Sequence, residues 1–322
     1  MKSIYFVAPS FGVNIPYYKK RFNKALKNLE SKGYDITIGP NVYLAKDKAA
    51  SNTAILRAKE INDAFKTNPD IVWSVAGGEV MIEMLEYVDF DIIKKSNSIF
   101  VGFSDNTNLT YTITTLLDKE TIYGVSAPAL STIEYDSLDT LEMINGKNEF
   151  IGYKNWQYEY NNPNPIHKYE FDRYTKMIPI NYTKPLKGKI IGGCLDCLIS
   201  LCGTKFDNTV NYMKNHKNEG IIFFMEACDL NSISLIRGLT QLKYADWFDL
   251  VDAFIIGRSN NINDKSFNIS MIEAYKRVLL PFNKPMILDC PIGHLSPTLP
   301  IKLGSNVEIT YNRNNIKFKY KD

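Results

Sequence analysis

The first half of the chain alternates short apolar runs with segments whose apolar residues return every three or four positions. The runs fit buried strands and the spaced segments fit amphipathic helices. Ser3–Val7, Tyr34–Ile38, Asp70–Val75 and Ser98–Phe103 are the runs. Between the first two, Pro16 suits a first helical position, Phe22, Ala25, Leu26 and Leu29 mark the buried face, and Gly33 closes the helix. Ser51 is the expected N-cap of a second helix carrying Ile55, Ala58, Ile61 and Phe65. A short helix is expected after Gly77-Gly78 and a longer one over Asn106–Leu117. Strands alternating with helices predict a mostly parallel sheet covered on both faces, a doubly wound, flavodoxin-like α/β unit.

From Leu130 to Lys187 the pattern loosens into a stretch rich in Asn, Tyr and Pro, densest over Asn155–Pro165. Such punctuation predicts a linker or surface excursion whose aromatics pack against something. Strands are expected again at Lys189–Ile191, Ile221–Met225, Ala253–Ile256, Met286–Asp289, Val307–Thr310 and Ile316–Phe318. Helices should follow Glu226 and cover Ser270–Leu280. The expected division is a flavodoxin-like domain over 1–165, a linker over 166–186, and a smaller, strand-rich mixed α/β domain over 187–322.

Composition narrows the classes. With 322 residues, 45% hydrophobic and 23% charged, the chain has the usage of an ordinary globular protein of about two domains. No apolar run reaches the roughly 18–20 residues of a membrane span, so no membrane partner is expected. The 38 basic and 35 acidic residues nearly cancel to +3, and the lysines are scattered, which argues against a nucleic-acid polymer as partner. Five cysteines suit reduced thiols better than a disulfide framework. The start, Met1–Pro9, holds an apolar stretch of about five residues, shorter than the ~7–15 of a signal core. A cytoplasmic protein is expected.

Three loops at strand ends carry candidate chemistry. In Gly102-Phe103-Ser104-Asp105-Asn106-Thr107, a strand-to-helix turn can expose the Ser104 hydroxyl and aim the next N–H groups at a developing oxyanion. Asn106 stands where a hydrolase elbow has its second glycine, and Ser104, Asp105 or Asn106 could equally just cap the helix. Gly77-Gly78 lets the backbone approach a ligand, or is a plain tight turn. In Asp289-Cys290-Pro291-Ile292-Gly293-His294-Leu295, a histidine at a strand end can serve as a general base, or merely hold its loop. The other two histidines, His167 and His216, lie in polar stretches where solvent exposure accounts for them. Glu226 ends an apolar strand, where a carboxylate is costly without a partner. An imidazole N–H would suit it, and so would the start of the following helix.

Taken in order, Gly77-Gly78, Gly102–Thr107, Gly192-Gly193 with Leu195, Glu226 and Gly293-His294 resemble the LD-carboxypeptidase family of serine peptidases, over nearly the whole chain. That family includes murein tetrapeptide carboxypeptidases and microcin C self-immunity peptidases. The resemblance implies a flavodoxin-like first domain, a second domain supplying Glu and His, a homodimer, and metal-independent catalysis without a cofactor. It implies Ser104 as nucleophile, His294 as base, Glu226 as the acid orienting it, and the N–H groups of Gly78 and Asp105 as oxyanion hole.

The long aromatic linker leans towards the microcin-immunity branch, whose substrates are aminoacyl-nucleotide amides, with a murein tetrapeptide as the alternative. Arg237 is the candidate cation for a substrate carboxylate, because a guanidinium binds carboxylate bidentately. The resemblance to that branch implies an aromatic residue stacked on the nucleobase of the substrate, and Trp156 is the candidate for it. A binding module without turnover would use the same cleft. Cys194-x-x-Cys197 could be a redox pair, but apolar surroundings favour two packed thiols.

Overall fold

The computed structural model describes residues 2–158 and 169–321. His167 and the run from Tyr160 to Pro165 lie outside them. The first sheet contains β1 (Ser3–Val7), β2 (Asp35–Ile38), β3 (Ile71–Ser74), β4 (Ile99–Gly102) and β5 (Thr121–Tyr123), parallel in the order β2-β1-β3-β4-β5. This is the flavodoxin-like order, and its direction reverses between β1 and β3, where a crevice opens at the carboxyl ends of the strands. The connecting helices are α1 (Pro16–Ser31), α2 (Ala54–Thr67), α3 (Phe90–Lys95) and α4 (Thr107–Leu117). Pro16 opens α1 as expected, and Phe22, Ala25 and Leu29 are its buried residues.

Ser51 does not cap α2. That helix starts at Ala54 after Thr53, and neither residue supplies a side-chain cap. The Ser51 hydroxyl instead donates to the Ala8 carbonyl at 2.7 Å, holding the loop that leaves β1.

The stretch expected to be irregular holds a ten-residue helix, α5 (Tyr135–Ile144). Its buried face includes Asp136, Ser137 and Thr140 beside Leu141, Met143 and Ile144, so polar residues mask the helical period. β6 (Glu149–Ile151) follows, then a hairpin of β7 (Asn155–Trp156) and β8 (Arg173–Tyr174). The remaining strands are β9 (Ile178–Ile180), β10 (Leu186–Cys194), β11 (Ile221–Glu226), β12 (Ala253–Gly257), β13 (Met286–Cys290), β14 (Ile301–Leu303), β15 (Asn306–Asn312) and β16 (Asn315–Tyr320). The helices among them are α6 (Leu195–Leu201), α7 (Thr209–His216), α8 (Ser232–Tyr244) and α9 (Met271–Leu279).

The second sheet has eight strands in the order β6-β16-β15-β10-β11-β12-β13-β9, with β10 to β13 parallel. The two sheets exchange strands. β14 pairs antiparallel with β5 in the first sheet, and β6 pairs antiparallel with β16 in the second. One continuous apolar core joins both, from Phe6 and Trp73 to Phe224 and Ile255.

Gly193 lets α4 sit against β10, and Gly192 lets β11 pass close on the other side. A Cβ on Gly192 would lie 1.7 Å from the Phe224 carbonyl oxygen, and one on Gly193 would lie 2.5 Å from the Thr107 methyl. Thr107 Oγ1 accepts from the Cys194 N–H at 3.0 Å. This close approach brings the carboxyl end of β4 beside those of β11 and β13.

Candidate active site

Ser104 follows β4 at φ 62°, a left-handed conformation that costs a non-glycine residue on the order of 1–3 kcal/mol. The surroundings hold it there. Asn106 Nδ2 donates to the carbonyls of Ala76 (2.9 Å) and Phe103 (2.8 Å), closing the turn beneath the serine. Asn106 fits because Gly102 gives way: a Cβ there would lie 2.5 Å from Asn106 Cβ. The place where a hydrolase elbow has a second glycine is thus filled by a side chain that braces the loop.

Three side chains from three strand ends meet at this turn. His294 Nε2 lies 2.9 Å from Ser104 Oγ, and His294 Nδ1 lies 2.9 Å from Glu226 Oε2. Glu226 ends β11 and is fully buried, while His294 is half-buried. The carboxylate has room because glycine stands at 257 and 293, where a Cβ would lie 2.8 Å from Glu226 Cβ and 3.0 Å from its Oε2. Burial on its own lowers the His294 pKa, but the adjacent Glu226 charge outweighs it and, with a contact from the Cys228 thiol, holds the ring well above the usual histidine value. Phe103 packs on the imidazole with centroids 4.7 Å apart, fixing its tilt.

Tyr123, at the end of β5, was not legible as a site residue. Its hydroxyl donates to Glu226 Oε1 at 2.6 Å and accepts from the Ser104 N–H at 3.3 Å. Asp196 was missed as well. Its carboxylate accepts from the N–H groups of Cys228 and Asp229, both at 3.0 Å, and so pins the loop leaving β11.

Gly77 passes close to the serine, and Gly78 packs on Ser10. A Cβ on Gly77 would lie 3.0 Å from Ser104 Cβ, and one on Gly78 would collide with Ser10 Oγ at 2.0 Å. Among the described residues, neither the Gly78 nor the Asp105 N–H has a backbone partner. The Asp105 side chain is buried and turned away, accepting from Ser10 Oγ, from the Met81 N–H at 3.0 Å and from Asn108 Nδ2 at 3.0 Å.

From His294, Phe103 and Gly77, next to Ser104, a cavity of about 760 Å³ opens towards α1, lined by Phe11, Tyr17, Tyr18, Arg21, Asp136 and Tyr169 among others. A cavity of this size suits a small organic ligand. Asp136 receives the Tyr169 hydroxyl and the Thr298 N–H (3.2 Å), and Thr298 Oγ1 accepts from the Gly293 N–H at 2.9 Å. The cavity wall is thereby tied to the loop carrying His294.

The two expected substrate contacts, Arg237 and Trp156, do not line this cavity. Arg237 is exposed on α8 and does not line the cavity: Leu235, Gly238, Leu239 and Leu242 face the core, and the helical period turns 237 outward. Trp156 is 5% exposed and does not line it either; the Arg258 guanidinium covers its ring at 4.2 Å. Arg258 is itself held by Asp289 at 3.2 Å. His216 is half-buried rather than solvent-exposed, between Asp118 (3.1 Å) and Glu219 (2.7 Å).

Cys194 and Cys197 are free thiols, as are the other three cysteines. Cys197 Sγ lies 3.7 Å from the Ser104 carbonyl, packed beneath the turn. The contact between the two thiols and their burial raise the pKa of Cys194, the opposite of a redox-active thiolate. No group of acidic, histidine or cysteine side chains with metal-holding geometry occurs among the described residues, and no helix among them is long and apolar enough to cross a membrane.

Comparison with known proteins gives a consistent picture. Residues 4–124 match the LD-carboxypeptidase N-terminal domain and residues 187–309 the LD-carboxypeptidase C-terminal domain. The chain is 26% identical over 315 residues to Microcin C7 self-immunity protein MccF of Escherichia coli, covering 92% of this chain and 88% of that one. A structure of that protein in complex with aspartyl sulfamoyl adenosine superposes with a TM-score of 0.83 at 22% identity, covering 99% of this chain and 96% of the other. A muramoyltetrapeptide carboxypeptidase from Oxalobacter formigenes superposes at 0.73 with 18% identity, over 99% of both chains.

Proposed function

The chain belongs to the LD-carboxypeptidase family, and on that premise we propose that it is a cytoplasmic, homodimeric serine peptidase that cleaves an amide bond through Ser104, His294 and Glu226. The observation that carries this reading is the unbroken path from Ser104 Oγ through both ring nitrogens of His294 to Glu226, each link 2.9 Å, at a left-handed serine. Five free thiols support a reducing compartment.

His294 Nε2 takes the proton from Ser104 Oγ as the oxygen attacks the amide carbonyl. Glu226 accepts the Nδ1–H, fixes the tautomer and stabilises the imidazolium. Tyr123 holds the far oxygen of Glu226, so that the carboxylate keeps its orientation. The N–H groups of Gly78 and Asp105 receive the oxyanion, and loss of one such donor costs about 3–4 kcal/mol of transition-state stabilisation. His294 then returns the proton to the leaving nitrogen as the C–N bond breaks, leaving an ester on Ser104. Water attacks that ester with His294 again as base, and the acid and free serine are released.

The substrate class we propose is a small aminoacyl-nucleotide amide. The aromatic cavity and the similarity to a protein seen with aspartyl sulfamoyl adenosine support it. A murein tetrapeptide is the second reading, supported by a 24% identical relative named as a probable murein peptide carboxypeptidase in Bacillus subtilis. Mass spectrometry of the products formed from each substrate separates the two. Release of the free amino acid from the nucleotide conjugate alone supports the first reading, loss of one residue from the tetrapeptide alone supports the second, and no cleavage of either leaves a binding module.

A further inference from the structure

Among the described residues, the cavity that leads away from His294 has one guanidinium on its wall, Arg21, one turn after Tyr17 on α1. Arg21 is half-buried, and no carboxylate pairs with it among the described residues. Its Nε makes one long contact, 3.4 Å to Ser131 Oγ, and its head lies 5.7 Å from the centre of the Tyr17 ring. The two terminal nitrogens donate to no described residue, so a pair of parallel N–H donors is left for a ligand. The acid on the same wall does not neutralise it, because Asp136 is already engaged by Tyr169, Ser137 and Thr298. Phe11 and Tyr18, 36% and 46% exposed, offer apolar faces beside it.

We propose that Arg21 is the anion-recognising residue of this cavity and selects substrates that carry an oxyanion on the part lying along α1. The proposal rests on the peptidase reading for which bond is cut, but not for what binds. A half-buried cation with open fork geometry, in a cavity whose wall includes His294, the partner of Ser104, is matched by a planar carboxylate or by a phosphoryl group. Both present two oxygens at the spacing of the guanidinium. Arg21 thus takes the part that Arg237, on an outward helix face, cannot.

The test is calorimetric binding to the wild-type chain and to the Arg21→Met and Arg21→Lys variants. Two ligand pairs are used, adenosine monophosphate against adenosine, and a murein tetrapeptide against its C-terminal amide. Turnover is recorded separately. The wild-type chain should prefer the anionic member of at least one pair by about tenfold or more. Arg21→Met should erase most of that preference, and Arg21→Lys should keep part of it. The pair that responds identifies a phosphoryl or a carboxylate ligand. No preference in either pair, or a preference that survives Arg21→Met, overturns the proposal. Absence of cleavage with an intact Arg21-dependent preference would instead sink the peptidase reading.

Discussion

Tyr123 and Glu226 lie 103 residues apart and on different sheets, yet the tyrosine hydroxyl donates to the carboxylate at 2.6 Å. The same oxygen accepts from the Ser104 backbone N–H, so one phenol connects the two ends of the hydroxyl–imidazole–carboxylate path. A hydrogen bond to a buried charge contributes about 1.5–3 kcal/mol. Tyr123→Phe should therefore lower kcat roughly ten- to a hundredfold with little change in KM, since the phenol does not line the cavity. Steady-state kinetics on a cleaved substrate checks this. A variant affected only in KM would remove Tyr123 from the positioning of Glu226.

The charge of Glu226 sets the acid limb of the reaction. His294 must be neutral to accept the serine proton, and Glu226 keeps the ring protonated to a pH above its ordinary 6.5. Wild-type kcat/KM should thus fall as pH drops through that raised value. Glu226→Gln removes the charge while burial still opposes the cationic ring, so the acid limb moves to lower pH. The plateau should fall about 10³- to 10⁴-fold because tautomer and orientation are lost. A limb displaced to lower pH together with a lowered plateau in a pH–rate profile is the signature. A limb that stays in place would mean that Glu226 does not govern the ring.

Glu60 gives the fold a pH dependence of its own. The side chain is 1% exposed, and it accepts from the N–H groups of Ala8 and Asn41, both at 2.8 Å, tying α2 to the loop after β1. Burial pushes its carboxyl from 4.5 up to about 7. Between those values the folded chain binds a proton that the unfolded chain has lost, so stability is fullest below 4.5 and declines as pH rises through about 7. The change is on the order of 3 kcal/mol. Relative to Glu60→Gln, the wild type should lose that much between pH 4.5 and 7.5 in urea unfolding. A difference between the two that is flat with pH would contradict it.

The central parallel strands β1, β3, β4 and β10 to β13 were legible because buried parallel strands read as apolar runs, whereas β5, β6, β9 and β14, three residues each, are too short to show a pattern. α5 was hidden because Asp136, Ser137 and Thr140 occupy its buried face. Tyr123 gave no signal, since its role arises only when β5 and β11 are brought together across the α4–β10 contact. Arg237 and Trp156 lie away from the cavity for a related reason. Residue type identifies what a side chain can bind, but the helical phase of α8 and the Arg258 stack on Trp156 decide what it faces. Arg21 carries no motif in the sequence, and its place on the cavity wall follows only from how α1 packs.

The most direct measurement is the site of covalent capture by a serine-directed fluorophosphonate, read by mass spectrometry of proteolytic fragments. The account predicts a single adduct on Ser104, absent in Ser104→Ala and formed at least about a hundredfold more slowly in His294→Ala. An adduct on another residue, or none on a chain that still hydrolyses its amide substrate, would contradict it.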